Sequence, residues 1–155
     1  MKFSEFDKGT YICAKFTEDT LDRIQEVQKK LGLLNPVKRE DLHSTICFSR
    51  VYVPFIASNE NEFVSKTGHL EIFETNDGPA LVLCLDSDYL KHRHELSNIL
   101  GATYDYPDYK PHITLSYNLG SQYIDLERNN PIEIEIISSK EVVEDLDLDW
   151  TKDKV

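Results

Sequence analysis

Hydrophobic and polar residues alternate through GTYICAKF, Gly9 to Phe16, which predicts a β-strand. Thr17 then offers an N-cap, with Glu18 and Asp19 in the first turn of a helix. Leu21, Ile24, Val27 and Leu31 recur at helical spacing up to Gly32, and Asn35-Pro36 ends that pattern. A charged loop, Lys38 to Asp41, leads into the strand-like run LHSTICFS. Val51 to Asn61 reads as an irregular connection, flexible near Ser58 to Glu62. Two further strands, about Gly68 to Glu74 and Ala80 to Asp86, are joined by Asn76-Asp77-Gly78, a hairpin signal. Ser87 caps a second helix ending near Leu100-Gly101, and a Tyr- and Pro-containing loop, Asp105 to Lys110, precedes the strand PHITLSY. In the tail, Ile132, Ile134 and Ile136 alternate with Glu133 and Glu135, predicting a strand with one solvated face. A last strand around Lys140 to Leu146 is expected to pair antiparallel with it.

These elements occur twice. A separation of 69 residues carries His43 onto His112, Gly32 onto Gly101, Leu21 onto Leu90 and Val27 onto Leu96. The same offset maps Ile12, Ala14 and Phe16 onto Leu81, Leu83 and Leu85. Each half thus reads as strand, amphipathic helix closed by glycine, loop, and a strand carrying His-x-Thr, the signature of an internal duplication. We expect a single α+β domain over residues 1–155, with pseudo-repeat halves at about 9–75 and 76–155.

Composition narrows the function. A formal net charge of −11 and a pI near 4.8 argue against a protein that tracks long RNA or DNA, which normally presents a basic face to phosphates. A small nucleotide is easier to accommodate, in a local pocket. No run approaches the roughly 20 apolar residues that span a bilayer, and no opening stretch has signal-peptide order, so a soluble cytoplasmic protein is expected. Cys13, Cys47 and Cys84 fall in predicted strands without paired spacing and read as reduced core thiols. Nothing apolar in the pattern demands a partner chain, and a monomer is expected.

The chemistry lies in His43-Ser44-Thr45 and His112-Ile113-Thr114. Residues two apart on a strand share a face, so each copy presents an imidazole beside a hydroxyl. With an ordinary pKa of about 6.5, one imidazole of a pair can accept a proton while the other donates one. Such a pair cleaves a phosphodiester without a metal, while Thr45 and Thr114 hold the non-bridging oxygens as charge builds on them. A lone His or Thr on a strand is usually structural; the duplication reverses that reading here. The two motifs bring no carboxylate or thiolate at metal spacing, so neither metal nor cofactor is expected.

Other candidates fare worse. His92 and His94 are two apart on a helix, do not share a face, and read as solvated surface. His69 has no partner in the repeat and reads as structural or surface. The acidic stretch Glu141 to Asp149 lacks calcium-loop spacing and reads as a solvated tail.

Duplicated His-x-Thr strands, each after a matched strand and helix, resemble the two-histidine (2H) phosphoesterase superfamily. That likeness implies a bilobal pseudo-symmetric fold, antiparallel sheets forming a central cleft with helices outside. A closer likeness runs through GTYICAKF, NPVKREDLHSTICFSRVYVPF, GHLEIF, YKPHITLSY and LDLDW, which resemble the phage anti-CBASS nuclease family. It implies that His43, Thr45, His112 and Thr114 are catalytic, and that Tyr11, Glu144 and Trp150 contact the substrate. Glu141 and Asp145 lie close enough to Glu144 that a short register shift would exchange the assignment. Phe73 stands where that family carries a Trp. For Trp150, a tail anchor packed on the core competes with a lid over the ligand.

The resemblance further implies metal-independent hydrolysis of 3′-5′ bonds in cyclic di- and trinucleotide messengers, such as 3′,3′-cyclic GMP-AMP and cyclic triadenylate. The products would be linear, and bacterial CBASS defence would be evaded, with the protein acting in the host cytoplasm if phage-encoded. Two alternatives stand beside it: an RNA-processing 2′,3′-cyclic phosphodiesterase, against which the acidity argues, and a non-hydrolysing cyclic-nucleotide sponge, which needs no matched acid and base.

Overall fold

The computed structural model describes residues 8–106 and 108–146. Strand β1 (Gly9–Phe16) is followed by helix α1 (Glu18–Lys30), a 3-10 turn at Arg39–Asp41, β2 (Ser44–Ser49), β3 (Glu62–Thr75), β4 (Gly78–Leu85), α2 (Asp88–Ile99), β5 (His112–Ser116) and β6 (Ile132–Leu146). Both helices start where their caps predict: Thr17 Oγ1 accepts from the Thr20 amide at 3.3 Å and Ser87 Oγ from the Leu90 amide at 3.1 Å. The spacing of 69 recurs in the observed strands, since β4 begins and ends that far beyond β1.

All six strands form one antiparallel sheet in the order β2-β1-β6-β3-β4-β5. The tail differs from the sequence expectation. Residues 132–146 are one strand, not two strands paired with each other: Ile132 to Ser138 pair with β3, and Ser138 to Leu146 pair with β1. Strand β3 likewise begins at Glu62, six residues earlier than predicted, because Glu62 to Gly68 face β6 while Gly68 to Thr75 face β4. The two longest strands therefore cross side by side at the centre, and a three-stranded lobe hangs from each. Asn130 clips this junction, its side chain accepting from the Leu70 amide at 2.6 Å and donating to the Leu70 carbonyl at 3.0 Å. At Gly68, where β3 passes from one partner to the other, an added Cβ would lie 2.9 Å from the Cys84 carbonyl oxygen, so the close approach excludes a side chain.

Alternation sorts the sheet into two faces. Ile12, Ala14, Ile46, Leu70, Leu81, Leu83, Ile113 and Leu115 point into the core with Ile24 of α1 and Leu90 of α2, all essentially inaccessible to water. Each such leucine or isoleucine contributes about 1.5–3 kcal/mol by its burial. The opposite face carries Tyr11, Cys13 and Lys15 on β1, and Phe73, Ala80, Val82 and Cys84 on β3 and β4. Helices cover one face, and the other is the cleft.

Two polar side chains expected at the surface belong to the core instead. Glu141 is not part of a solvated tail: it is buried and accepts from Arg93 Nε at 2.8 Å, the Tyr89 hydroxyl at 2.9 Å and the Ser58 amide at 2.7 Å. His94 is buried behind β2, its ring stacked on Tyr109 at 4.0 Å with Nδ1 2.7 Å from the Ile46 carbonyl, while His92 is exposed as predicted. Cys13, Cys47 and Cys84 are free thiols, all buried. Among the described residues no helix is long and apolar enough to cross a membrane.

Candidate active site

The two His-x-Thr motifs sit on β2 and β5, the edges of the flattened sheet order, yet the sheet curls enough to bring those edges together. The Ser44 hydroxyl donates to the His112 carbonyl at 2.8 Å, and the Tyr109 hydroxyl donates to the Thr45 carbonyl at 2.7 Å. From beneath, the buried Gln28 amide donates to both the Val37 and Leu115 carbonyls, at 3.0 and 3.1 Å. Residues 69 apart in sequence are thereby held in one cleft.

Both imidazoles are fixed in the same way. His43 Nδ1 lies 2.7 Å from the Asp41 carbonyl and His112 Nδ1 lies 2.8 Å from the Lys110 carbonyl, each two residues upstream. A carbonyl only accepts, so Nδ1 carries the proton on each ring and Nε2 is left to exchange a proton with a ligand. Burial holds His112 below the usual imidazole range; the Lys110 carbonyl opposes this, and the nearby charge of His43 adds to it. Neutral His112 is a proton acceptor.

Tyr11 completes the His43 side. Its hydroxyl is 2.9 Å from Thr45 Oγ1, and its ring meets His43 edge-on with centroids 6.3 Å apart. Burial keeps the phenol protonated far above its ordinary range. A recess of about 390 Å³ opens here, lined by Tyr11, Cys13, Lys15, Asp41, His43, Tyr117 and Glu144. Glu144 is the cross-strand partner of Tyr11 and lines the recess, whereas Glu141 turns into the core on the other face. On the other side a recess of about 580 Å³ runs past Thr45, Phe48, Tyr106, Tyr109, Lys110 and His112. Phe73 lies on this floor, edge-on to His112 at 5.3 Å. Thr114 shares this face from the strand beside Val82. Trp150 lies outside the described residues.

Sequence reasoning passed over Lys15, Phe48, Lys110 and Tyr117. Lys15 was legible, as the third residue on the face that Tyr11 and Cys13 begin. Phe48 and Tyr117 each follow a motif histidine by five residues, so the repeat itself carried the signal. Lys15 and Lys110 put positive charge on either side of the cleft in an otherwise acidic chain. Two other recesses, of about 500 and 650 Å³, border α1 and have no histidine in their linings.

Over 89% of this chain and 87% of the other, the fold superposes on Escherichia coli LigT complexed with 3′-AMP, with a TM-score of 0.58 at 12% identity. A protein of Thermus thermophilus superposes with a TM-score of 0.55 at 15% identity, covering 90% of this chain and 95% of that one. The architecture is thus the LigT-like two-histidine phosphoesterase fold. In sequence, the anti-CBASS protein Acb1 of Enterobacteria phage T4 is 48% identical over 153 residues, 99% of this chain and 98% of that protein. Its counterpart in Acinetobacter phage Ac42 is 50% identical over 152 residues, 97% and 99% of the two chains. The family model described as anti-CBASS protein Acb1 matches residues 8–153, and the chain belongs to that family.

Proposed function

We propose that this protein is a metal-independent phosphodiesterase that opens 3′-5′ bonds of cyclic di- and trinucleotides, adenine-containing rings among them, and so removes the messenger of an antiphage defence. The observation that carries this reading is the pair of imidazoles locked through Nδ1 by the carbonyls of Asp41 and Lys110, with Nε2 of each left to the ligand. Family membership supports the defence-evading role and the LigT-like fold supports phosphodiester chemistry.

His112 Nε2, kept neutral by burial, accepts the proton of the attacking oxygen, a ribose 2′-OH or a water. As the new phosphorus–oxygen bond forms, His43 in its protonated state gives up a proton from Nε2 to the departing 5′-oxygen, and the pair ends with its protons exchanged. Thr45 and Thr114 donate to the non-bridging oxygens. The Tyr11 and Thr45 hydroxyls lie 2.9 Å apart, and with the nucleotide bound Tyr11 takes the donor role, which turns the Thr45 proton toward phosphate. Glu144 accepts from an exocyclic amine in the recess it shares with Tyr11, and Trp150 stacks on a base, a contribution of roughly 1–3 kcal/mol. The protein acts as a monomer in the host cytoplasm.

The test is incubation with 3′,3′-cyclic GMP-AMP in excess EDTA beside a His43→Ala, His112→Ala double variant, with products resolved by chromatography and mass. Linear product from the wild type alone is expected. Unaltered ligand bound in stoichiometric amount would make the protein a sponge, and turnover confined to RNA 2′,3′-cyclic ends would replace the substrate class.

A further inference from the structure

The floor of the cleft on the His112 side holds three metal-ligating side chains that the phosphodiester chemistry leaves unused. His69 and Glu71 are two apart on β3 and share a face, and Cys84 on β4 is the cross-strand partner of His69. The Cys84 thiol donates to Glu71 Oε2 at 2.7 Å, and the same carboxylate oxygen lies 3.2 Å from His69 Nε2. All three donor atoms fall within 4.8 Å of one another. None of this was visible in the sequence, where His69 read as structural or surface and Cys84 as a core thiol; antiparallel pairing of β3 and β4 assembles the group.

We propose that His69 Nε2, the Glu71 carboxylate and Cys84 Sγ form a binding site for a divalent cation of the zinc class, with its fourth coordination position open to solvent. A tetrahedral zinc has Zn–S near 2.3 Å and Zn–N or Zn–O near 2.0 Å, which separates its donors by about 3.3–3.5 Å. The imidazole and carboxylate already stand at that spacing, and the sulfur has to withdraw from the carboxylate by less than about 1 Å. The thiol proton now lies between sulfur and carboxylate. On binding, that proton leaves to solvent, the His69 ring carries its own proton on Nδ1, and thiolate plus carboxylate balance the charge of the dication. A thiolate and an imidazole together select zinc-like ions over magnesium or calcium, which prefer oxygen ligands.

Access and burial are divided in the way such a site needs. Cys84 is buried at the floor, while the side chains of His69 and Glu71 are 58% and 37% exposed, so an ion reaches the sulfur through the open end of the group. Because Cys84 is also the cross-strand partner of His112, an occupied site lies on the same floor as the proposed chemistry. Binding of the ion does not depend on which phosphodiester the protein cleaves.

Cobalt(II), a spectroscopic substitute for zinc, tests this on the full chain after chelator treatment and removal of the chelator. A thiolate-to-cobalt charge-transfer band saturating at one ion per chain, and displaced by zinc, is expected. The band should persist in the His43→Ala, His112→Ala variant, disappear in Cys84→Ser, and require at least tenfold more cobalt in His69→Ala or Glu71→Gln. Those last two positions are exposed enough for substitution to leave the fold intact, as circular dichroism would verify. Absence of the band in the wild type, its survival in Cys84→Ser, or its loss in the motif-histidine variant would overturn the assignment.

Discussion

The Ser44 hydroxyl donates a 2.8 Å hydrogen bond to the main-chain carbonyl of His112, tying the residue beside one motif histidine to the other histidine itself. Ser44 is fully buried, so its replacement by alanine would leave that carbonyl without its partner and without water. A buried acceptor left unsatisfied costs about 1–3 kcal/mol. Ser44→Ala should lower the unfolding free energy in urea by that amount. It should also slow turnover by roughly tenfold with little change in KM, because β5 is free to shift against β2. Wild-type kcat in a folded Ser44→Ala protein would show that this bond does not position His112.

The depressed pKa of His112 sets the acid side of the pH profile. Since burial disfavours its protonated form, the native protein resists a proton that the unfolded chain accepts near pH 6.5. Its neutral form is therefore unpenalised above that pH. As pH falls below it, through the lower native value, the unfolded chain binds more protons and stability declines. With His112 as base, kcat/KM should fall on the acid side with a midpoint below 6.5. An imidazole titration by NMR should show the same ordering, with the assigned His112 signal moving below 6.5. A midpoint at or above 6.5 for His112 would remove it from the base role.

Local pattern recorded most of this fold, and it failed where pairing partners lie far away in sequence. The caps at Thr17 and Ser87, the Asn76-Asp77-Gly78 hairpin and the two His-x-Thr strands depend on neighbours within a few residues, and each was legible. Strand β6 was not read as one element because Ser138 and Ser139 interrupt its alternation at the point where its pairing passes from β3 to β1, a change defined only by those distant strands. Glu141 and His94 read as surface because a charged or titratable side chain in isolation belongs there. Their burial rests on partners 83 and 48 residues away, Ser58 and Ile46. In the cleft, the motif residues announced themselves through the repeat. Tyr109, which reaches Thr45 with its hydroxyl while stacking on His94, had no periodic signal because it lies in a loop.

Glu141 makes a stability prediction separate from the cleft. Its side chain is wholly inaccessible to water and answers the guanidinium of Arg93, the hydroxyl of Tyr89 and the amide of Ser58, joining β6, α2 and the connection before β3. Removing one partner of a buried pair typically costs about 3–5 kcal/mol. Glu141→Ala should therefore shift the urea midpoint strongly downward, with Glu141→Gln intermediate because it keeps an acceptor for Ser58. A loss below about 1 kcal/mol would mean that solvent reaches Arg93 and Tyr89 readily once the carboxylate is gone.

Tyr11→Phe separates orientation from contact. The phenyl ring keeps the packing on Phe48, 6.1 Å away edge-on, and the edge toward His43, so the recess retains its shape. What disappears is the 2.9 Å bond to Thr45 Oγ1, and with it the group that turns the Thr45 proton toward the non-bridging oxygen. A neutral hydrogen bond of this kind is worth about 1 kcal/mol, or several-fold in rate if it acts mainly in the transition state. Tyr11→Phe should then lower kcat by about five- to tenfold and leave KM within twofold, whereas Tyr11→Ala should raise KM as well by removing the aromatic wall. A rise in KM alone for Tyr11→Phe would assign the hydroxyl to ground-state binding of the nucleotide, with Thr45 oriented by the phosphate itself.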